Sequence, residues 1–223
     1  MKEKHAKDPV VNHSGVGLHR DASSPVRWIM PHLNVEALAR QIGEWLHEGT
    51  VSAHHPAHLL QFASVDHNTG PQLRTVVLRS SEPAAHWVRF HTDIRSPKVE
   101  EVRRQPRVAL LGYDPNLRLQ VRMDAIAAVH HKDSLAKQGW ERTPPHSRAS
   151  YASKRVPGEA LKQDVVHHAH PPIHDLEDPA YNNYAVIHCA IEVIDLLELD
   201  SDGHRRGTLV RAGGEWCWQP VAP

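Results

Sequence analysis

Residues 73–98 read LRTVVLRSSEPAAHWVRFHTDIRSPK, and their reading decides the fold. Residues 73–79 are apolar and β-branched with an arginine at two places. Ser80, Ser81, Glu82 and Pro83 break that run, and an extended pattern resumes over 86–91. The sequence predicts strand, turn, strand. Ser96 then stands at a helix cap, with Pro97 at the first helical position, where a missing N–H does no harm. Glu100 and Glu101 fall in the first turns, and Pro106 closes the helix. Free N–H groups at that helix start, with Lys98 beside them and Arg74 arriving from the neighbouring strand, predict a phosphate pocket.

Outward from this hairpin the chain alternates in the same manner. Upstream, Val35, Leu38, Ile42, Trp45 and Leu46 recur at helical spacing after a capping Asn34, with Gly49 as the stop. Residues 59–65 form a short apolar strand, and 66–71 (DHNTGP) carry turn chemistry. Downstream, 107–113 are strand-like and Asp114, Pro115 and Asn116 turn the chain. In 117–129, Leu119, Val121, Met123, Ala125 and Ala127 share one face, while Gln120, Arg122 and Asp124 share the other. Asp133 or Ser134 starts a helix to about Arg142, Pro144 and Pro145 interrupt it, and 147–154 make a further helical turn. Residues 183–199, 204–211 and 215–219 are extended, with a turn at Gly213 and Gly214. About seven strands with short turns and no strand–helix–strand alternation imply an antiparallel, barrel-like domain.

At 223 residues the chain can bury one good core. One domain over 34–223 is expected, preceded by a mobile arm at 1–33 and interrupted by a His/Pro-rich loop at about 155–182. The formal net charge is zero, which disfavours a nucleic-acid groove or an anionic membrane as partner. The opening MKEKHAKDPVVNHSG has no apolar leader-like run, and no later run is long enough to span a bilayer, so a soluble cytoplasmic protein is expected. Cys189 and Cys217 have no metal-ligand spacing and read as core thiols. Of the 20 histidines, the cluster His167, His168, His170 and His174 lies among prolines without a helical or strand period, which favours a solvated linker over a metal site.

Four blocks carry a resemblance: RTVVLR at 74–79, FHTDIRSPK at 90–98, QPRVALLGY at 105–113 and LQVRMDA at 119–125. In that order and spacing they resemble the FMN-binding blocks of the pyridoxamine 5'-phosphate oxidase family. The ending, from NNYAVIHCAIEVIDLLEL to WQPVAP, is similar to that family's C-terminal dimer and substrate region. The resemblance covers roughly residues 35–223. It implies a six-stranded antiparallel split β-barrel with peripheral helices, and a homodimer with FMN at the subunit interface.

Carried over position by position, the resemblance assigns Arg74 to the FMN phosphate and Thr75, Val76 and Val77 to the ribityl chain and flavin edge. His91 and Thr92 take the second FMN contact, Lys98 the phosphate, Gln120 the cofactor and Arg206 the late flavin arginine. The arginine usual before Lys98 is Pro97 here, so Arg95 is its substitute. On the substrate side, Arg142 and Arg205 match, and Arg79 stands for a lysine. Gln138 stands for a tyrosine, His146 or Ser147 for a serine, and Gly207 for a histidine. The QS pair is Arg155 and Val156, and the flavin-stacking tryptophan is Leu197. Cofactor residues thus survive better than substrate residues. The implied activity is FMN-dependent oxidation of a small molecule, phosphorylated or not. A flavin reductase or oxidase on another substrate, or a flavin-storage protein, stand as alternatives.

Overall fold

A computed structural model describes residues 34–161 and 178–223. The arm expected over 1–33 and the cluster from His167 to His174 lie outside the described residues. The strands are β1 (Leu59–Asp66), β2 (Gly70–Ser81), β3 (Trp87–Asp93), β4 (Arg107–Asp114), β5 (Leu119–His130), β6 (Tyr184–Glu198), β7 (Arg205–Ala212) and β8 (Glu215–Val221). Six close into an antiparallel ring in the order β1-β2-β3-β6-β5-β4, sealed by the β1–β4 and β3–β6 pairings. The first half of β6 lies between β3 and β5. Its second half leaves β3 and pairs with β7, and β8 completes the extension. Strand alternation fills the ring with Leu60, Phe62, Leu78, Phe90, Leu110, Met123 and Ile187, all buried, and the Phe62 and Phe90 rings meet edge-on at 4.8 Å.

Helices close the ends and flank one wall. α1 (Val35–Val51) is capped by Asn34, whose side chain accepts from the Glu36 N–H, and its Trp45 Nε1 donates to Asp114 Oδ2 at 2.9 Å. The helix does not stop at Gly49 as expected. That glycine is needed for close approach, because a Cβ there would sit 2.6 Å from the Ala57 carbonyl carbon in the 3-10 turn Pro56–His58. α2 (Pro97–Arg104) joins β3 to β4, with Val99 and Val102 buried. α3 (Ser134–Arg142), capped by Asp133, lays Trp140 against Tyr151, Tyr181 and Tyr184 in a second small core.

Four expectations are corrected. There are eight strands among the described residues rather than about seven. The chain after Pro144 turns helical at once, as α4 (Pro145–Arg148) and a 3-10 turn Ala149–Ala152. Part of the expected long loop is a 3-10 turn, Pro179–Asn183, capped by the buried Asp178 and packed under Trp140. Cys189 is a core thiol, but Cys217 is exposed, because Trp216 and Trp218 take the inward face of β8. No described helix is long and apolar enough to cross a membrane.

Candidate functional site

The expected cofactor and substrate residues fall into three places. The first is the end of the barrel under α2. Alternation along β2 turns Arg74 inward, where it pairs with the buried Glu101 at 2.8 Å and donates to Ser64, which also bonds Glu101. Lys98 Nζ donates to Ser96 Oγ at 2.6 Å and to Thr92 Oγ1 at 3.3 Å. The Ser96 hydroxyl therefore receives the lysine and does not cap α2. Burial and the nearby Arg74 guanidinium hold the Lys98 ammonium below its ordinary range, opposed by Glu101 and Asp93. Arg95 lies alongside with its fork on Asp93, at 3.0 and 2.7 Å, and on the Ser153 carbonyl. Thr75 and Val77 point the other way from Arg74 and the buried Val76. They share the outer face of the β1–β2 wall with the exposed Leu59, Val65 and Leu73.

The second place is a cleft of about 260 Å³ between α3 and the outer face of β2, β3 and β6. Arg79, Arg89, His91, Gln138, Arg142 and Val186 are among its walls. Here the structure brings together Arg79 and Arg142, expected on the substrate, with His91, expected on the cofactor. His91 and Thr92 are adjacent in sequence yet face opposite sides of β3. Burial, reinforced by Arg79, pushes His91 down to about 3, so its imidazole is neutral near pH 7. The His91 ring lies 5.0 Å from that of Tyr184, and its Nδ1 is 3.4 Å from Thr143 Oγ1. Ser147 and His146 sit on α4 and are not among the residues lining this cleft.

The third place is the outer surface where β5, β6 and β7 run together. Cross-strand register puts Gln120 beside Leu197 and Leu197 beside Arg206. Arg206 forks onto the buried Asp195 at 3.0 and 2.7 Å, and Arg122 reaches the same carboxylate at 3.2 Å. Arg205, at the start of β7, lies 4.0 Å from Glu198. Gly207 faces Trp218, whose ring atoms come within 2.1 Å of where a Cβ would be, so the indole occupies the space of a side chain at 207. Arg155 lies near the end of the described segment, its N–H bonded to Ser153.

Sequence reasoning missed Ser64 and Glu101, which fix Arg74, and Asp195, which fixes Arg206. It also missed Arg89. A signal existed for Arg89, since its strand period with His91 turns both outward. Three of the other paired histidines make local hydrogen bonds: His55 Nδ1 accepts from the Ala57 N–H, His58 bonds the Gly49 carbonyl, and His130 bonds Asp133.

Comparison with known proteins follows these blocks. Residues 39–131 match the family described as pyridoxamine 5'-phosphate oxidase, FMN-binding domain. A pyridoxine/pyridoxamine 5'-phosphate oxidase of Granulibacter bethesdensis is 26% identical over 217 residues, covering 93% of this chain and 100% of that protein. Its counterpart in Bartonella henselae is 32% identical over 83 residues, covering 37% of this chain and 39% of that one. A pyridoxamine 5'-phosphate oxidase-related, FMN-binding protein from Nostoc punctiforme superposes with a TM-score of 0.64 at 23% identity, over 82% of this chain and 96% of its own. PhzG from Burkholderia lata, solved with tetrahydrophenazine-1-carboxylic acid, gives 0.63 at 18%, over 85% and 94%. Those two likenesses bear on the fold: a closed six-stranded antiparallel barrel with two further strands and a few helices. Residues 39–131 thus resemble the FMN-binding domain of the pyridoxamine 5'-phosphate oxidase family, and the fold is that of the FMN-binding split barrels.

Proposed function

We propose that the chain is a cytoplasmic FMN-dependent oxidoreductase that works as a homodimer on an anionic small molecule other than pyridoxamine phosphate. The observation that carries this reading is the placement of the carried-over residues on opposite walls. In the ring β1-β2-β3-β6-β5-β4, β2 stands across the barrel from β5. Thr75 and Val77 on β2 therefore look away from Gln120 on β5 and Arg206 beside it. One flavin can meet both sets only if a second copy brings its β5–β7 surface to the β2 wall of the first. Arg142 and Arg205 repeat the pattern, because the cleft at Val186 and the Glu198–Arg205 pair lie at opposite ends of β6, on the order of 40 Å along an extended strand.

The residues fit the group. Arg74 matches Glu101 one to one, which leaves Lys98 as the unmatched cation, and the hydroxyls of Ser96 and Thr92 supply further polar contacts for a phosphate. The exposed apolar patch of Leu59, Val65 and Leu73 beside Thr75 and Val77 suits a flat ring and a partner surface. When bound, FMN supplies the capacity to accept a hydride and pass the electrons on. Arg79, Arg142 and Gln138 bind the anionic end of the substrate in the cleft. Neutral His91 offers that cleft a hydrogen-bonding nitrogen without adding charge. With Gly207 covered by Trp218 and Gln138 in place of a tyrosine, two positioning groups for pyridoxamine phosphate are missing, which supports a different substrate.

Subunit complementation tests the shared site. Lys98→Ala and Arg206→Ala chains should each bind FMN poorly. Co-refolded at equal ratio, they should recover tight binding at about a quarter of sites, because half the dimers then hold one intact site of two. A mixture no better than its components would place the whole cofactor site in one chain and sink the reading.

A further inference from the structure

The cleft beside α3 contains one more arginine than the resemblance assigns. Arg89 projects from the outer face of β3, its guanidinium 3.9 Å over the Trp87 ring, and its Nε donates to His188 Nδ1 at 3.0 Å. These contacts fix the plane of the fork and leave both terminal nitrogens without a protein partner among the described residues. His188 can accept because it is neutral: burial, then Arg89 and His130, push it down to about 4. Arg79 and Arg142 line the same space and likewise lack a protein partner among the described residues, and no carboxylate lines the cleft. Arg142 also holds Arg89 below its ordinary range, after burial, so like charges crowd here without a counter-ion.

We propose that Arg89 is a specificity-determining residue and that the cleft takes a substrate bearing two anionic groups, one on Arg79 and Arg142 and the second on Arg89. The inference rests on the reading of this cleft as the substrate pocket. A phosphate monoester dianion balances two of the three guanidinium charges, and a second phosphate or carboxylate within the same small volume balances the third. A bidentate contact to Arg89 needs no reorganisation, because Trp87 and His188 already hold the fork.

Calorimetric titration of the FMN-saturated full chain with inorganic phosphate and with pyrophosphate tests this. The wild type should bind pyrophosphate at least about tenfold more tightly than phosphate. Arg89→Gln should reduce that preference to about twofold while leaving phosphate affinity within about twofold, and Arg89→Lys should fall between. Equal affinity of the wild type for both anions overturns the proposal. So does an equal loss of both in Arg89→Gln, which would make Arg89 part of a single phosphate anchor. FMN titration of Arg89→Gln runs in parallel and should match the wild type. If the wild type takes up no FMN, the flavin reading fails while the anion comparison is still decided on the apoprotein. Replacing one anion with succinate or 3-phosphoglycerate separates a carboxylate from a phosphate at the second position.

Discussion

Replacing Arg74 by alanine should destabilise the barrel as well as weaken FMN binding, and the two effects are separable. Arg74 is the only cation paired with Glu101 among the described residues, and that carboxylate side chain is 5% exposed. Removing one partner of a buried ion pair costs about 3–5 kcal/mol, because the other charge is left unpaired in a medium that solvates it poorly. The Arg74 side chain is 23% exposed, and its removal admits some water, so the lower end, about 3 kcal/mol, applies. For a domain of this size that lowers Tm by roughly 6–12 °C. Glu101→Gln keeps a hydrogen-bonding group for Ser64 and frees the arginine to face solvent, at about 1 kcal/mol. The double variant Arg74→Ala/Glu101→Gln should lose only about 1–2 kcal/mol, well short of the sum, because no buried charge is stranded. Urea unfolding of the apoproteins followed by circular dichroism measures all three without the contribution of bound cofactor. FMN titration should show Arg74→Ala weakened and Glu101→Gln undiminished. A stable Arg74→Ala, or a double variant equal to the sum of the singles, refutes the account of Glu101 as a charge that depends on Arg74.

Lys98→Ala should weaken FMN binding tenfold to a hundredfold, the equivalent of about 1.5–3 kcal/mol for a charged hydrogen bond, with little change in Tm; unchanged affinity by fluorescence titration removes Lys98 from the phosphate pocket. Steady-state turnover of pyridoxamine phosphate with oxygen should stay below about 1 per second, since misplacing the reacting atoms costs about a hundredfold, and ordinary enzymatic rates would show that Arg79, Arg142 and Arg205 suffice. Acid should destabilise the fold partly through His91, whose folded pKa of about 3 lies below its unfolded value of about 6.5. The stability from keeping it neutral is intact above pH 6.5 and is lost as pH falls toward 3. By pH 5 the wild type should have lost about 2 kcal/mol more than His91→Gln in urea titrations, and identical pH profiles would contradict the burial argument. Gly207→Ala should cost about 1–3 kcal/mol because its methyl group meets the Trp218 ring, and thermal unfolding with no shift would mean that the indole yields freely.

Local signals carried most of the fold. Asp66 accepts from the Asn68 and Thr69 N–H groups and Gly70 adopts φ 85°, as the DHNTGP turn requires, and the inward residues of β5 are those its alternation marks. Errors came where a residue type has two uses. Gly49 resembles a helix stop but serves a close approach to Ala57, and Ser96 resembles a cap but receives Lys98. The candidate site was legible only as a set of cations on short motifs. Their counter-charges were not, because Glu101 and Asp195 reach their arginines through the closed barrel and the β6–β7 pairing rather than through sequence spacing. Arg89 escaped for another reason: it belongs to none of the transferred positions, and only its strand phase places it beside Arg142.

Strand β3 presents two different side-chain surfaces in one seven-residue segment. Arg89 and His91 line the cleft and Trp87 shares their face, while Val88, Phe90 and Thr92 face the interior, where Thr92 meets Lys98. Because the side-chain period is two, the two alphabets interleave without sharing a letter. Point changes at 89 and 91 alter the cleft while the residues facing Lys98 stay as they are. A single-residue insertion exchanges the two sets and destroys both surfaces together. The barrel thus permits substitution and forbids a shift of frame, which gives this strand a physical reason to vary in residue and hold constant in length.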